Sequence, residues 1–410
     1  MAQLTQVARF AAGLYRQKAV TAYHGYARHD PMALLQLGPA RDNPYPIYER
    51  LRAEGPISRT RLGNWVSTSH PVCNRVLRDR HFGVRPEGPV EDDGFGLSFL
   101  ELNPPDHTRL RRLATPAFSP KQMAGYRERI EKTVHQLIDD LPDGPFDLVP
   151  AFAAPLPIAV ITDLLGIPNA HADDFAVWGA TIGSALDGVK SLRHARELMA
   201  ANASLAALFE QLFELRRRDP ADDVISSVVA AEGERISGAE MVPLCTLLLI
   251  AGFETTVNLI SNGVLALLDH PDEWAALGAD PSLAANTVEG VLRFDPPVQR
   301  TARVALADVE VGGVTVRRGQ FVATLIGGAN RDPSVYAEPG RFDITRSLPV
   351  EHLAFSSGIH YCLGQPLARL EATIAFRVLA ERRPGLRRAG RVVRRNAATI
   401  RGPLHLPLAD

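Results

Sequence analysis

One cysteine of this chain has neighbours suited to chemistry. Cys362 lies in FSSGIHYCLGQPLARLE, between Gly358 and Gly364 and just before a helical pattern that begins near Pro366. At a helix N-terminus the free backbone N–H groups and the helix dipole favour an anion, so we expect a lowered pKa for the Cys362 thiol. The two glycines leave room for a flat, bulky group to approach the backbone.

An anionic sulfur in this setting suits three roles. A nucleophile needs a nearby base, and no protease-type signature surrounds Cys362, although His360 lies two residues before it. A zinc ligand needs companions, and the distant Cys73 and Cys245 form no CxxC pair with it. A haem iron needs no second cysteine, because the porphyrin supplies four donors. Cys73 and Cys245 are best interpreted as plain buried cysteines.

The stretch FSSGIHYCLG resembles the haem-ligand loop of the cytochrome P450 superfamily, Phe-x-x-Gly-x-His/Arg-x-Cys-x-Gly. The following LARLE is similar to soluble bacterial members, and the similarity extends over roughly residues 40–408. The resemblance implies the cytochrome P450 fold, with a helical body, a long central helix and a minor β-rich region. It also implies haem b (iron protoporphyrin IX) as the cofactor and Cys362 as the proximal thiolate ligand of its iron.

A second motif lies in LLLIAGFETTVNLISNG. It resembles the family's Ala/Gly-Gly-x-Asp/Glu-Thr, which implies that Thr255 hydrogen-bonds dioxygen or peroxide and that Glu254 relays protons from solvent. Gly252 costs a helix about 1 kcal/mol relative to alanine, so we expect a packing reason or a close ligand. Adjacent residues do not share a helical face, so the pair suits a groove with locally opened hydrogen bonding. The alternative for Thr255 is a bond to a carbonyl one turn earlier.

Haem carries two propionates, which need cationic or hydrogen-bonding partners. His107 and Arg111 stand four residues apart, on one helical face, in NPPDHTRLRRLATPAF. This stretch resembles the family's His-Thr-Arg-x-Arg helix, and the resemblance implies that both residues bind propionate. It implies the same for Arg303 in RTARVALADVEVGG and for His360. Arginine suits this task because its planar fork is always charged.

One position departs from the family pattern. The family places a glutamate three residues before an arginine, Glu-x-x-Arg, and the two form a buried ion pair behind the haem. Here NTVEGVLRFDPP keeps Arg293 but has Gly290 at the glutamate position, and Glu289 lies one residue earlier. Arg341 matches another arginine of that network. A buried unpaired arginine costs about 3–5 kcal/mol, so either Glu289 or another acid pairs with Arg293, or the region is more hydrated and looser. Our hypothesis is that Glu289 compensates.

The elements that must position these residues are mainly helical. Ser119-Pro120 begins one helix, a second runs from Ser191 to Arg218, and a capping box, Ser237 with Glu240, begins a long helix that ends near His270. Strand signals are few: a hairpin through Gly312-Gly313 with a strand after it, and a small sheet near the C-terminus. We therefore expect a mainly α fold with small β-sheets, divided into a helical N-terminal extension, residues 1–40, and a single domain, residues 41–410. The arginine-dense stretch 382–401 is interpreted as a solvated face or turn region.

Composition limits the function. The 410 residues, 46% hydrophobic with a net charge of −1, supply a large core and give no support for nucleic-acid binding. Three scattered cysteines argue against disulfides and indicate a reducing compartment. Charges interrupt the apolar N-terminal stretch, and the longest uncharged run near the middle, residues 241–253, has 13 residues. We expect a cytoplasmic protein without membrane association.

The resemblance implies a haem-thiolate monooxygenase that inserts one atom of dioxygen into an apolar small molecule, by hydroxylation or epoxidation. Since no flavin- or ferredoxin-like segment is present, electrons are expected from a ferredoxin and its ferredoxin reductase. A peroxide-driven oxygenase is an alternative, which the Glu254-Thr255 pair disfavours, and a haem-binding protein without turnover is another, which Gly290 supports.

Substrate identity stays open among terpenoids, fatty acids, steroids and polyketides. By analogy with the family, we expect the pocket to be lined by parts of residues 83–102 and 171–194 and by Leu248, Ala251 and Val298. The first segment is rich in glycine, proline and acidic residues, which is typical of a mobile surface loop, and its Glu91, Asp92 and Asp93 are interpreted as solvated.

Overall fold

A computed structural model describes residues 2–88, 96–168 and 172–410. Its helices are α1 (Ala2–Ala22), α2 (Pro31–Leu34), α3 (Gly38–Asp42), α4 (Tyr45–Glu54), α5 (His70–Arg78), α6 (Asp106–Ala114), α7 (Pro120–Asp139), α8 (Pro155–Leu165), α9 (Ala172–Gly183), α10 (Leu192–Arg218), α11 (Val224–Val229), α12 (Gly238–Asp269), α13 (Pro271–Ala279), α14 (Ala284–Phe294), α15 (Ile326–Ala329) and α16 (Gln365–Arg382). Short turns of 3₁₀ or π-helix connect several of them.

The strands are short and form four small sheets. They are β1 (Ser58–Arg59), β2 (Trp65–Ser67), β3 (Phe82–Gly83), β4 (Phe146–Asp147), β5 (Thr301–Ala305), β6 (Val309–Val311), β7 (Val314–Val316), β8 (Phe321–Thr324), β9 (Arg387–Arg388), β10 (Val393–Arg394), β11 (Pro403–His405) and β12 (Pro407–Ala409). The largest sheet has the order β1-β2-β8-β5-β3, with β2 and β8 parallel. The others are β4-β12-β9, β6-β7 and β10-β11. The prediction of a mainly α fold with small β-sheets is confirmed.

The central helix α12 organises the core. It packs against α8, α9, α14 and α16, and it is apolar and long enough to cross a membrane. However, 83% of its most apolar window is buried inside the protein, as the prediction of a core helix requires. The side chain of Ile161 packs directly against Gly252, because a Cβ at this position would lie only 2.5 Å from Ile161 Cδ1. Close packing is therefore the reason for this glycine inside a helix.

Local sequence signals set the ends of these elements. The Ser191 hydroxyl accepts from the backbone N–H of His194 at the start of α10 (2.9 Å). The Glu240 carboxylate accepts from the Ser237 N–H (2.9 Å) where α12 begins. The hairpin of β6 and β7 turns through Gly312 and Gly313, both at positive φ. These predictions are confirmed, as is the small C-terminal sheet.

Two sequence predictions about the chain's ends have different outcomes. The proposed division at residues 40 and 41 stays a prediction, and α3 spans it. The interpretation of residues 382–401 as a solvated face is wrong for Arg401, which is 8% exposed, and for Arg395, whose side chain is 21% exposed. Both turn inward because carboxylates of the core bind them.

Candidate active site

The Cys362 loop is held by its own backbone. The Cys362 N–H donates to the Phe355 carbonyl (2.9 Å) and closes a turn that contains Gly358 at φ +71°. A Cβ on Gly358 would lie 2.5 Å from the Leu77 carbonyl oxygen, so the glycine is required by the end of α5. At Gly364 a Cβ would meet only Phe118, at 3.6 Å, which leaves room beside the sulfur as the sequence predicted.

The electrostatics at Cys362 differ from the sequence prediction. Burial raises the pKa of its thiol, and the N–H groups of Gly364 and Gln365 together with Arg111 and Arg369 only partly oppose this. The prediction of a lowered pKa is therefore wrong for the unligated thiol, because desolvation outweighs the helix N-terminus. These donors nevertheless suit an anionic sulfur, and a metal ion that coordinates a thiol deprotonates it outright.

Four side chains predicted to bind propionate lie together beside this loop. Arg111 of α6 donates to the carbonyl of Tyr361 (2.6 Å). The rings of His107 and His360 are 4.3 Å apart. Arg303 of β5 is 5% exposed. Among the described residues, its side chain donates only within its own strand, to the Thr301 hydroxyl (3.2 Å) and the Ala302 carbonyl (2.9 Å).

This cluster carries positive charge without an anion from the described chain. Both ring nitrogens of His107 are buried and lack a hydrogen-bond partner among the residues that the structure describes. Burial, then Arg303, His107 and Arg111, lowers the pKa of His360 to about 3. Burial alone lowers the pKa of Arg303 to about 10. Since buried cations are normally paired, the arrangement fits a ligand that brings carboxylates, as the propionates of haem do.

The accessible face of α12 is narrow. From Leu244 to Leu267 every residue is buried except Ala251, Gly252 and Thr255. Ala251 and Thr255 lie one turn apart, so they share a helical face that opens to a space within the otherwise packed core. The Thr255 hydroxyl donates to the Ala251 carbonyl (3.1 Å), which is the alternative that the sequence left open. The helix is continuous here, without the locally opened hydrogen bonding that the sequence suggested.

Glu254 points away from this face and is 4% exposed. One carboxylate oxygen lies 2.7 Å from Nη1 of Arg395, which stands between β10 and β11. Asn258, one turn further along α12, donates to the backbone carbonyl of Glu254 (2.7 Å). Arg395 was not identified from the sequence, because nothing in its local spacing indicates a partner more than a hundred residues away.

The pairing predicted for Arg293 is wrong. Arg293 is 1% exposed, and it donates to the backbone carbonyls of Pro339 (2.6 Å) and Arg341 (2.7 Å) instead of to Glu289. Burial lowers its pKa to about 10. The Arg341 side chain is 60% exposed and pairs with Glu338 and Asp343. Carbonyl dipoles thus replace the family's carboxylate among the described contacts of Arg293.

Glu289 instead supports the cysteine loop. It binds Arg369 (2.6 Å) and His352 (3.1 Å), and Arg369 lies 4.5 Å over the ring of Phe355, where the loop begins. Burial alone would raise the pKa of Glu289, but the contact with His352 and the hydrogen bonds from Arg369 bring it down to about 2. Sequence reasoning missed this role because α14 and α16 meet only in the tertiary structure.

The walls predicted for a substrate pocket are partly described. Leu248 is buried, Ala251 is exposed, and Val298 is half-buried and forms a bridge with Ile400. Residues 89–95 and 169–171 lie outside the described residues, and with them the predicted mobile loop around Glu91, Asp92 and Asp93.

The structure therefore brings together five of the seven predicted site residues and places the other two on the central helix. The five are His107, Arg111, Arg303, His360 and Cys362. The helix that carries Glu254 and Thr255 packs against α16, which begins directly after the Cys362 loop.

Comparison with known proteins gives concordant results. The family model described as Cytochrome P450 matches residues 282–381. The biotin biosynthesis cytochrome P450 of Bacillus subtilis is 40% identical over 358 residues, which are 84% of this chain and 90% of that protein. The vitamin D(3) 25-hydroxylase of Pseudonocardia autotrophica is 38% identical over 404 residues, 94% of this chain and 97% of that protein. The crystal structure of P450BioI in complex with acyl carrier protein ligated to hexadec-9Z-enoic acid matches with a TM-score of 0.84 and 38% identity, over 90% of this chain and 98% of that chain.

Proposed function

This chain belongs to the cytochrome P450 family, and we propose that Cys362 ligates the iron of haem b while four side chains hold its propionates. Those four are His107, Arg111, Arg303 and His360. The chain is a monooxygenase with a haem cofactor and a small-molecule substrate, as its relatives are. The observation that carries the residue assignment is the buried cluster of cations and imidazoles beside Cys362, which no carboxylate of the described chain neutralises.

Haem bound through a thiolate supplies the activation of dioxygen, of which one atom enters the substrate and the other leaves as water. The protein's own residues supply position and protons. The Thr255 hydroxyl donates a hydrogen bond to the backbone carbonyl of Ala251, so both lone pairs of its oxygen remain able to accept a hydrogen bond from the pocket. Glu254, held by Arg395, receives protons from the solvent side and delivers them toward Thr255. Apolar residues of α12 keep bulk water away from the reaction.

Electrons come from a ferredoxin and its reductase in this proposal. Exposed arginines flank the cysteine loop: Arg78 has its Cα beside Gly358, and Arg112 adjoins the Arg111 that binds the Tyr361 carbonyl. Ile359 of the same loop is 52% exposed and adds an apolar side chain to this surface. Such a surface suits an acidic electron carrier. Turnover supported by ferredoxin and NAD(P)H, but not by peroxide alone, separates this proposal from the peroxide-driven and the non-catalytic alternatives.

We expect an apolar substrate, because the side chains predicted to line its pocket, Leu248, Ala251 and Val298, are apolar. Long-chain acyl compounds are the first to test, because one solved relative carries a hexadecenoyl group on acyl carrier protein. Sterol-like compounds come next, because another relative is named a vitamin D(3) hydroxylase. Binding is measured as the spin-state change of the iron on displacement of its water. We also propose a cytoplasmic location, where reduced ferredoxin is available.

The ligand assignment is tested by replacing Cys362 with alanine. The purified wild type, reduced and treated with carbon monoxide, should absorb where thiolate-ligated haem does, and Cys362→Ala should lose that band. Cys73→Ala is the control, since Cys73 is also a buried cysteine but lies apart from the cluster and should leave the band unchanged. A wild type that absorbs like imidazole-ligated haem, or that copurifies with no pigment, contradicts the proposal.

A further inference from the structure

A second group of cations lies at a small cavity between residues 41–42 and 394–402. The cavity is lined by Arg41, Asp42, Arg394, Arg395, Ala397, Arg401 and Gly402. Gly402 fits closely against Asn258 of α12, where a Cβ would clash with its side-chain amide. Gly402 therefore fixes one side of the cavity against the central helix, and arginines line much of the rest.

Three guanidinium groups at this cavity have unmet hydrogen-bonding capacity. Nε of Arg41, Nη1 of Arg394 and Nε of Arg395 are buried, and each lacks a hydrogen-bond partner in the described chain. They come from two segments more than 300 residues apart in sequence. Leaving a buried charged donor unsatisfied is costly, so three at one cavity indicate a common acceptor.

The charges at this cavity do not balance. Nε of Arg41 lies 3.6 Å from a carboxylate oxygen of Asp42, within ion-pair distance but too far for a hydrogen bond. Arg395 lies 2.7 Å from Glu254, and Arg401 lies 2.8 Å from Asp295. Arg394 has no carboxylate within ion-pair distance in the described residues. Burial and the neighbouring Arg401 lower the pKa of Arg394. Four arginines against three carboxylates leave one positive charge, which a single monovalent anion would neutralise.

We propose that the cavity between residues 41–42 and 394–402 is a binding site for one halide-sized monovalent anion, such as chloride. Its room for water-sized particles, about 10 Å³, is close to the minimum for a single water molecule, which favours a monatomic anion over a polyatomic one. A phosphate or sulfate would need the arginines to move apart and would bring more negative charge than the site leaves unbalanced. The site lies outside the haem cluster, and it shares only Arg395, which binds Glu254, with the proposed proton relay.

Halide-dependent stability tests this site in the haem-loaded protein. Sodium gluconate is replaced stepwise by sodium chloride or bromide at constant ionic strength, and the melting temperature is recorded. The wild type should show a saturable rise of roughly 1–3 °C. Arg394→Gln and, from the other segment, Arg41→Gln should abolish most of the rise. Arg391→Gln is the matched control, because Arg391 is exposed in the same arginine-rich stretch and does not line the cavity.

A crystal of the wild type soaked in bromide gives an independent result that does not depend on a variant folding. Anomalous density between Arg41 and Arg394 supports the proposal. Density found elsewhere only, or a halide-induced rise that is equal in the wild type and both cavity variants, overturns it. A rise with sulfate or phosphate and none with halides also overturns it, since the size and charge arguments would then be wrong.

Discussion

Arg303 is almost fully buried on β5, and within the described chain its guanidinium donates only to oxygens of its own strand. A buried charge with so little compensation destabilises the protein that carries it. The same is true, more weakly, of His107, whose two ring nitrogens lack partners. A ligand that brings a negative charge would compensate such buried residues. We therefore expect them to destabilise the haem-free protein and to stabilise the haem-bound protein.

We predict that Arg303→Met raises the melting temperature of the haem-free protein or leaves it unchanged, because the substitution removes a buried charge. In the haem-loaded protein it should speed haem loss roughly 10- to 100-fold, because a charge-assisted hydrogen bond to propionate is lost. Haem transfer to an acceptor protein and thermal melting of both forms measure this. Arg317→Met, at an exposed position before β8, should change neither. An equal loss of stability in both forms would make Arg303 purely structural.

The adjacent threonines of α12 offer a matched pair. Thr255 lies on the accessible face, whereas Thr256 is 3% exposed and its hydroxyl donates to the Gly252 carbonyl (3.3 Å). Thr255→Ala should lower the product formed per NAD(P)H consumed by about tenfold or more, because the acceptor for pocket protons is lost. NAD(P)H consumption itself should continue. Thr256→Ala should keep the wild-type ratio, and similar ratios for the two variants would remove Thr255 from the mechanism.

At the scale of elements, α12 carries both the accessible face and the acid Glu254. The loop between β10 and β11 binds the carboxylate of Glu254. Between β10 and β11, Arg395 reaches Glu254, and Gly402 packs on Asn258 one turn further along the same helix. The loop is thus attached to α12 at consecutive turns. We infer that Arg395 is a positioning residue, which acts through the carboxylate of Glu254.

Arg395→Gln should lower kcat by roughly tenfold with little change in KM for the substrate, because Glu254 loses the partner that fixes it. The solvent isotope effect on kcat should rise as proton delivery becomes slower. In a Glu254→Gln background the same substitution should have little further effect, since the two residues act as one unit. Arg391→Gln serves again as the control. Additive losses in the double variant would show that Arg395 acts independently of Glu254.

At the scale of the whole molecule, a chain of contacts behind the cysteine loop links three parts of the fold. Glu289 of α14 binds Arg369 of α16, and Arg369 covers Phe355, which accepts the Cys362 N–H. The pKa of Glu289 is about 2 in the folded protein, below its value of 4.5 in an unfolded chain. Ionised Glu289 therefore adds stability that is fully present above about pH 4.5 and is lost as the pH falls toward 2.

Glu289→Gln should lower the free energy of unfolding at pH 7 by about 2 kcal/mol, an amount that allows for the partial exposure of the pair. The gap between the wild type and this variant should narrow as the pH falls from 5 to 3. Denaturant melts across that range measure both quantities. Glu128→Gln, at an exposed position on α7, should change the free energy by less than about 0.5 kcal/mol. A gap that stays constant with pH would mean that the charge of Glu289 does not contribute.

The sequence by itself determined the local features of this protein. The caps of α10 and α12, the glycine hairpin of β6 and β7 and the spacing around Cys362 depend on residues a few positions apart, which the backbone geometry brings together wherever the segment lies. The pair at His107 and Arg111 follows for the same reason, because one helical turn places them on one face.

Only the tertiary structure decided which charges meet. Glu289 lies one turn before Arg293 on the same helix, yet it binds Arg369, 80 residues away. Arg293 instead donates hydrogen bonds to backbone carbonyls. The spacing of residues in the sequence does not show that Arg395 pairs with Glu254. The direction in which the pKa of Cys362 shifts depends on the burial of its thiol, which the sequence does not give. Partner choice and desolvation are properties of packing between distant segments, and no short-range pattern records them.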